Sequence, residues 1–166
     1  DTGDYLLRSV PQPQVASIGG EWAVIGLARA GISVPKGYFD SYYAMLEQEL
    51  VTNGGVLHER KYTEYSRVVL ALSAIGKDPT NVGGYNLLMR LADYDKVVWQ
   101  GINGPIFALL ALDSKAYEIP ANPDANTQAT RDLYLRAILD AQLENGGFSL
   151  AGDSADPDVT GMALQA

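Results

Sequence analysis

Carboxylates near the end of the chain are the first candidates for chemistry. Asp156-Pro-Asp-Val-Thr160 sets two acids two residues apart in front of an apolar stretch, with Asp153 three residues upstream. An acid in such a place can donate a proton, and alternating Asp residues can gather oxygens around a cation. The same residues also suit a helix start, with Asp156 or Asp158 accepting backbone N–H bonds and Pro157 in the first turn. As a cation loop the run lacks the glycine and the distal Glu of an EF-hand, so a solvated acidic loop is the expectation there and no metal is assigned. Glu21 and Glu64 are the other candidate carboxylates, and each stands where a negative group favours the positive end of a helix. His58 is the sole histidine and is expected in a surface loop; Ser66, Ser73 and Ser114 have no histidine in a triad pattern. Cysteine is absent, which removes disulfides, cysteine-rich zinc sites and thioesters. Asn53-Gly-Gly55 and Gly83-Gly84 read as turns, since neither is followed by the Lys-Ser or Lys-Thr of a phosphate cradle.

The elements that must position these groups are helices of two kinds. Trp22 to Ala30, Val68 to Ile75 and Pro105 to Leu112 are apolar almost without interruption, and helices apolar all round are buried all round. Between them, Tyr38 to Val51 sets Tyr38, Tyr42, Met45 and Phe39, Tyr43, Leu46, Leu50 on adjoining columns against Asp40, Glu47 and Gln48, the pattern of an amphipathic outer helix. Gln128 to Leu143 repeats the outer type, with Asp132, Arg136, Asp140 and Glu144 as a polar stripe at every fourth position and Leu135, Ile138 and Leu139 facing inward. Helices are expected over 22–30, 38–52, 62–75, 84–92, 104–113 and 127–144, with a further buried helix opening after Asp156. Leu27-Ala-Arg-Ala-Gly31 recurs as Leu72-Ser-Ala-Ile-Gly76 after 45 residues and loosely as Leu110-Ala-Leu-Asp-Ser114 after another 38, which marks a repeated helical pair.

Composition bounds the partners. The chain has 166 residues, enough for one domain, with 47% hydrophobic and only 19% charged residues, a balance that favours a packed core over disorder. A net charge of −8 argues against a nucleic-acid partner. No apolar run reaches membrane-spanning length, and no basic, apolar leader precedes Asp1. Ten tyrosines against three phenylalanines call for many half-buried rings with a hydroxyl to satisfy.

Gln142-Leu-Glu-Asn-Gly-Gly-Phe148, followed by Asp156-Pro-Asp-Val-Thr160 and Met162-Ala-Leu-Gln-Ala166, resembles the repeat of the terpenoid cyclase and protein prenyltransferase α/α-toroid superfamily. Gly19-Gly-Glu-Trp-Ala23, Lys61-Tyr-Thr-Glu-Tyr-Ser-Arg67, Gly76-Lys-Asp-Pro-Thr80 and Val98-Trp-Gln-Gly-Ile-Asn-Gly-Pro105 are similar to the prenyltransferase and squalene oxidase repeat domains of Gram-positive surface proteins, whose layout is that of cobalamin-carrier toroids. The resemblance implies an all-α fold, an incomplete toroid of six to seven inner and outer helices in a single domain or fragment over 1–166, cut within its last helix. It also implies a secreted or surface-anchored bacterial protein. In class II cyclases the Asp-x-Asp-Asp run supplies the acid, and here Val159 replaces its last member.

Inner helices of such a ring run parallel, so their N-termini meet at one mouth. That places Glu21 and Trp22 beside Tyr62, Glu64, Tyr65 and Arg67, then Trp99, Gln100 and Asn103, then Asp156, Asp158 and Thr160. Carboxylates and amides beside flat rings suit a polar ligand with a flat or sugar-like face, with Glu21, Glu64 and Asp158 as acceptors and Trp22, Tyr65 and Trp99 as platforms. The function expected is a non-catalytic module without a cofactor, binding a polar small molecule, a glycan or a protein segment. The alternatives are a cyclase-like or polysaccharide-degrading enzyme using Asp158 or Glu64 as general acid, and a closed polar network that serves the fold alone. The edges of an incomplete ring are expected to self-associate.

Overall fold

A computed structural model describes all residues, Asp1–Ala166. The chain is all-α: nine helices and no sheet. They are α1 (Thr2–Ser9), α2 (Ile18–Arg29), α3 (Tyr38–Thr52), α4 (Thr63–Ile75), α5 (Leu88–Leu91), α6 (Tyr94–Val97), α7 (Asn103–Asp113), α8 (Arg131–Leu139) and α9 (Pro157–Gln165), with a 3-10 turn over Val98–Gln100. None is long and apolar enough to cross a membrane.

Local chemistry explains most of the boundaries. Asp1 and Asp4 form a reciprocal capping box at α1, and Ser17, Thr130 and Asp156 accept N–H bonds at the starts of α2, α8 and α9. The expected helix over 84–92 shrinks to the single turn of α5. Val82 and Tyr85 exchange backbone hydrogen bonds across Gly83 and Gly84, whose positive φ of 60° and 89° makes a tight turn instead. The expected helix over 127–144 shrinks at both ends: Ala129 N–H donates to Ala92 and Tyr94 N–H to Thr127, holding 127–129 extended, and the chain turns again after Asp140.

Packing sorts the helices as the periodicity predicts, with three corrections, the first of which is that the helix after Asp156 is not buried: in α9 only Val159 is enclosed, and Leu164 is 76% exposed because nothing packs on that side. In the row of apolar helices, α4 packs between α2 and α7, and α7 packs against α8 and α9. From outside, α3 contributes Tyr42, Leu46 and Leu50 to the core, and α8 contributes Tyr134 and Ile138. Burial all round holds for α4 and α7 but not for α2, where Ile18 and Trp22 are 69% and 42% exposed because no helix covers that side. Leu135 and Leu139 point outward, as only the Tyr134–Ile138 side of the short α8 meets α7.

Ile18, Thr63 and Asn103 begin α2, α4 and α7 at intervals of 45 and 40 residues, close to the repeat read from the sequence. One face of each helix then matches in register: Trp22 and Ile25 with Arg67 and Leu70, and with Phe107 and Leu110. Ile25, Leu70, Phe107 and Leu110 are all half-buried. The Trp22 and Phe107 rings stand 6.1 Å apart although α4 lies between their helices. Adjacent helix axes sit about 8–10 Å apart, so first and third helices in a flat row would hold their side chains farther from each other than this. Side chains of α2 and α7 thus meet on the matched face, across α4.

Candidate binding site at the helix N-termini

Glu21 is fully buried in the first turn of α2. Its Oε1 accepts from the Tyr42 hydroxyl at 2.8 Å and from the Ala16 N–H at 2.9 Å. Ala16 has φ 50°, a conformation that costs energy for a residue with a side chain and that the Glu21 carboxylate helps to hold. Arg67 Nε of α4 lies 3.9 Å from Oε2, too far for a hydrogen bond, and neither atom has a partner in the chain. Burial pushes the Glu21 carboxyl up to about 7 against the opposing pull of Tyr42 and Arg67. The Tyr42 phenol is raised well above its ordinary range by burial and then by the neighbouring carboxylate.

Arg67 is only 8% exposed, and its guanidinium donates no hydrogen bond within the chain. Asn103 Oδ1, in the first turn of α7, is likewise enclosed and bare. The three neighbouring helices α2, α4 and α7 thus each bring one buried polar atom without a hydrogen bond to their N-terminal halves, those of Glu21 and Arg67 facing each other as a loose ion pair. In a folded chain such atoms are uncommon, and each carries about 1–3 kcal/mol of unrecovered desolvation.

The other residues of the expected mouth are distributed differently. Tyr62 and Tyr65 meet edge to face at 5.0 Å, but Tyr65 is wholly buried, accepting from Leu57 N–H at 2.9 Å and donating to the His58 carbonyl at 3.2 Å. It anchors the preceding loop and is no platform. Gln100 Oε1 accepts from Thr63 N–H at 3.0 Å, capping α4 from the following repeat. Trp99 is 58% exposed beneath the Arg60 guanidinium at 5.5 Å. Glu64 is half-buried and lies toward α3, where burial and its charge raise the Glu49 carboxyl.

At the far end, Asp156 is occupied as the cap of α9, accepting from Asp158 N–H at 2.8 Å and Val159 N–H at 3.0 Å. Asp158 is exposed, and the Thr160 hydroxyl accepts from Phe148 N–H at 2.9 Å. These three residues make their bonds within their own turn and with Phe148, apart from Glu21 and Arg67. No set of three acids or histidines in the chain is grouped to hold a metal ion. His58 is half-buried rather than on the surface, its Nδ1 accepting from the Arg60 and Lys61 N–H groups at 3.0 Å, which shapes the entry to α4.

The structure joins Glu21 to Arg67 and to Tyr42, and Trp22 to Phe107, and leaves Asn103 in the first turn of α7; Tyr42 and Phe107 are marked by the sequence only as apolar-face residues. It also forms a cleft of about 300 Å³ beside Tyr62, walled by the Gly83-Gly84 turn and by Arg90, Asp93 and Lys96, which the sequence does not announce. Comparison with known proteins gives no match to the chain among family models, curated proteins or solved structures.

Proposed function

We propose that the chain is a non-catalytic binding module, built on the inner and outer helices of an α/α toroid in a secreted or surface-anchored bacterial protein, that takes a polar ligand on its matched face. The supports for the toroid are the helix starts recurring after 45 and 40 residues and the approach of Trp22 to Phe107 across α4. The placement outside the cell rests on the sequence resemblance alone.

One observation carries the binding reading: Arg67, a nearly buried guanidinium without a single hydrogen bond, at the level of Trp22 and Phe107. Arginine offers five donors in a planar fork, and a ligand acceptor such as a carboxylate or a sugar hydroxyl would use what the chain leaves idle. Asn103 Oδ1 would take a donor from the same ligand.

The test is chemical-shift mapping with small carboxylates, oligosaccharides and peptides, followed by two substitutions. Ligand signals are expected at the Trp22 indole, Phe107 and Asn103. Arg67→Met should weaken binding at least about tenfold, the scale of one charge-assisted contact, while Arg67→Lys keeps part of it. Unchanged affinity in a folded Arg67→Met variant would remove the site.

A further inference from the structure

We infer that the cleft between the Gly83-Gly84 turn and α6 is a separate site, and that it takes a neutral pyranose ring. The inference is independent of the matched face, since it stands on other residues and another opening.

The cleft is built around one held ring. A Cβ added at Gly55 would meet Tyr85 Cδ1 at 2.4 Å, so the Tyr85 ring is seated directly on the Gly55 backbone, where φ is 82°. The paired hydrogen bonds between Val82 and Tyr85 fix the turn that carries it. Tyr85 is half-buried and lines the cavity, so the ring serves as a fixed flat wall.

Of the polar side chains around it, Asn122 and Asp93 are engaged at both ends of their polar groups, while Arg90, Lys96 and Asn86 keep donors in reserve. Arg90 Nη2 donates to the Gly55 carbonyl at 3.0 Å while the guanidinium lies 5.5 Å from the Tyr65 ring, which leaves most of its N–H groups uncommitted. Lys96 Nζ stands 3.6 Å from Asp93 Oδ2 and 6.0 Å from the Tyr62 ring, with the lysine more than half exposed. Asn86 uses only its carbonyl, accepting from Leu88 N–H at 3.0 Å. Asp124 supplies an exposed carboxylate at the rim.

Two cations and two carboxylates line the cleft, so its local charge balances, while the whole chain carries −8. A polyanion has nothing to gain there. An apolar ligand is poorly served, because few of the lining residues are hydrophobic. At about 300 Å³ the space lies at the small end of ligand pockets. An aromatic wall for a ring's C–H face, edged by amide, guanidinium and carboxylate groups for its hydroxyls, is the chemistry of a neutral sugar.

The experiment titrates the chain with maltose, cellobiose and N,N′-diacetylchitobiose, and with a galacturonate dimer, following amide signals. At least one neutral disaccharide is expected to shift Tyr85, Asn86 and Arg90. Tyr85→Ala should weaken it about tenfold, and Tyr85→Trp should retain it, as expected of an aromatic platform. Asp124→Ala, at the exposed rim, gives a second reading should Tyr85→Ala unfold, and is expected to weaken binding as well. The proposal is overturned if no neutral disaccharide shifts these residues, if only the galacturonate dimer does, or if folded Tyr85→Ala and Asp124→Ala variants both bind as tightly as the unaltered chain.

Discussion

Raising the pH from 4.5 to about 7 is expected to lower the stability of the fold by roughly 3 kcal/mol through Glu21 alone. The carboxyl titrates near 4.5 when the chain is unfolded and near 7 when it is folded, so between those values the native state keeps a proton that the unfolded state releases. Stability therefore falls as pH rises through this window and is greatest below it. Burial sets the direction of the shift, and the Tyr42 hydroxyl and then the Arg67 guanidinium on α4 oppose it. Denaturant unfolding across the pH series, compared with Glu21→Gln, isolates the contribution. The amide keeps an acceptor for Tyr42 and Ala16 but cannot ionise, so the variant should lack this part of the slope. Parallel curves for the two proteins would mean that Glu21 keeps an ordinary carboxylate's affinity for protons in the fold.

Gly104→Ala should be among the most damaging single substitutions in the chain. A Cβ at this position would stand 1.8 Å from the Val97 carbonyl oxygen, and the obstacle is backbone rather than a movable side-chain tip. The last turn of α6 rests directly on the first turn of α7, and forcing them apart disturbs the buried Val97 and Ile106 together. A loss of about 3 kcal/mol or more is expected, at the upper end of overpacking effects. Gly19→Ala is the matched control, since nothing lies within 4 Å of its added Cβ. There the gain in helix propensity should leave stability equal or raise it by up to about 1 kcal/mol. Thermal midpoints moving alike in both variants would mean that the α6–α7 contact is looser than its geometry.

The parts of the fold legible in the sequence are those governed by local periodicity. The limits of α3 coincide with the expected 38–52, and α4 and α7 begin within one residue of the expected positions, because unbroken apolar runs between turn residues leave few choices. The stretch over 84–100 was not legible as it stands, since its short turns are fixed from far away: Leu87 N–H by the Pro79 carbonyl, and the Leu91 carbonyl by the Tyr134 hydroxyl. The same limit applies to the candidate site. Helical spacing places Glu21 in the first turn of α2 and Arg67 at the opening of the second turn of α4, and the two side chains approach to 3.9 Å. It says which side of α3 carries Tyr42 but not that the hydroxyl ends on a carboxylate of α2. Tyr65 was misplaced for a related reason: its type suits a ligand platform, and only the course of the loop over Leu57 and His58 reveals that its hydroxyl is already engaged.

The positions of the two tryptophans decide what light can report about this molecule. Trp22 and Trp99 are both about half exposed, one against Phe107 on the matched face and the other beneath Arg60. Their indoles already emit in a partly aqueous setting, so unfolding alters their surroundings less than it would for a core tryptophan. Tyr42, Tyr65 and Tyr134, by contrast, are sealed in the interior. Indole fluorescence is thus a local signal of what happens at the surface of α2 and of the turn before α7, and the asymmetric environment of the buried phenols, read by near-ultraviolet dichroism, is the signal of the fold itself.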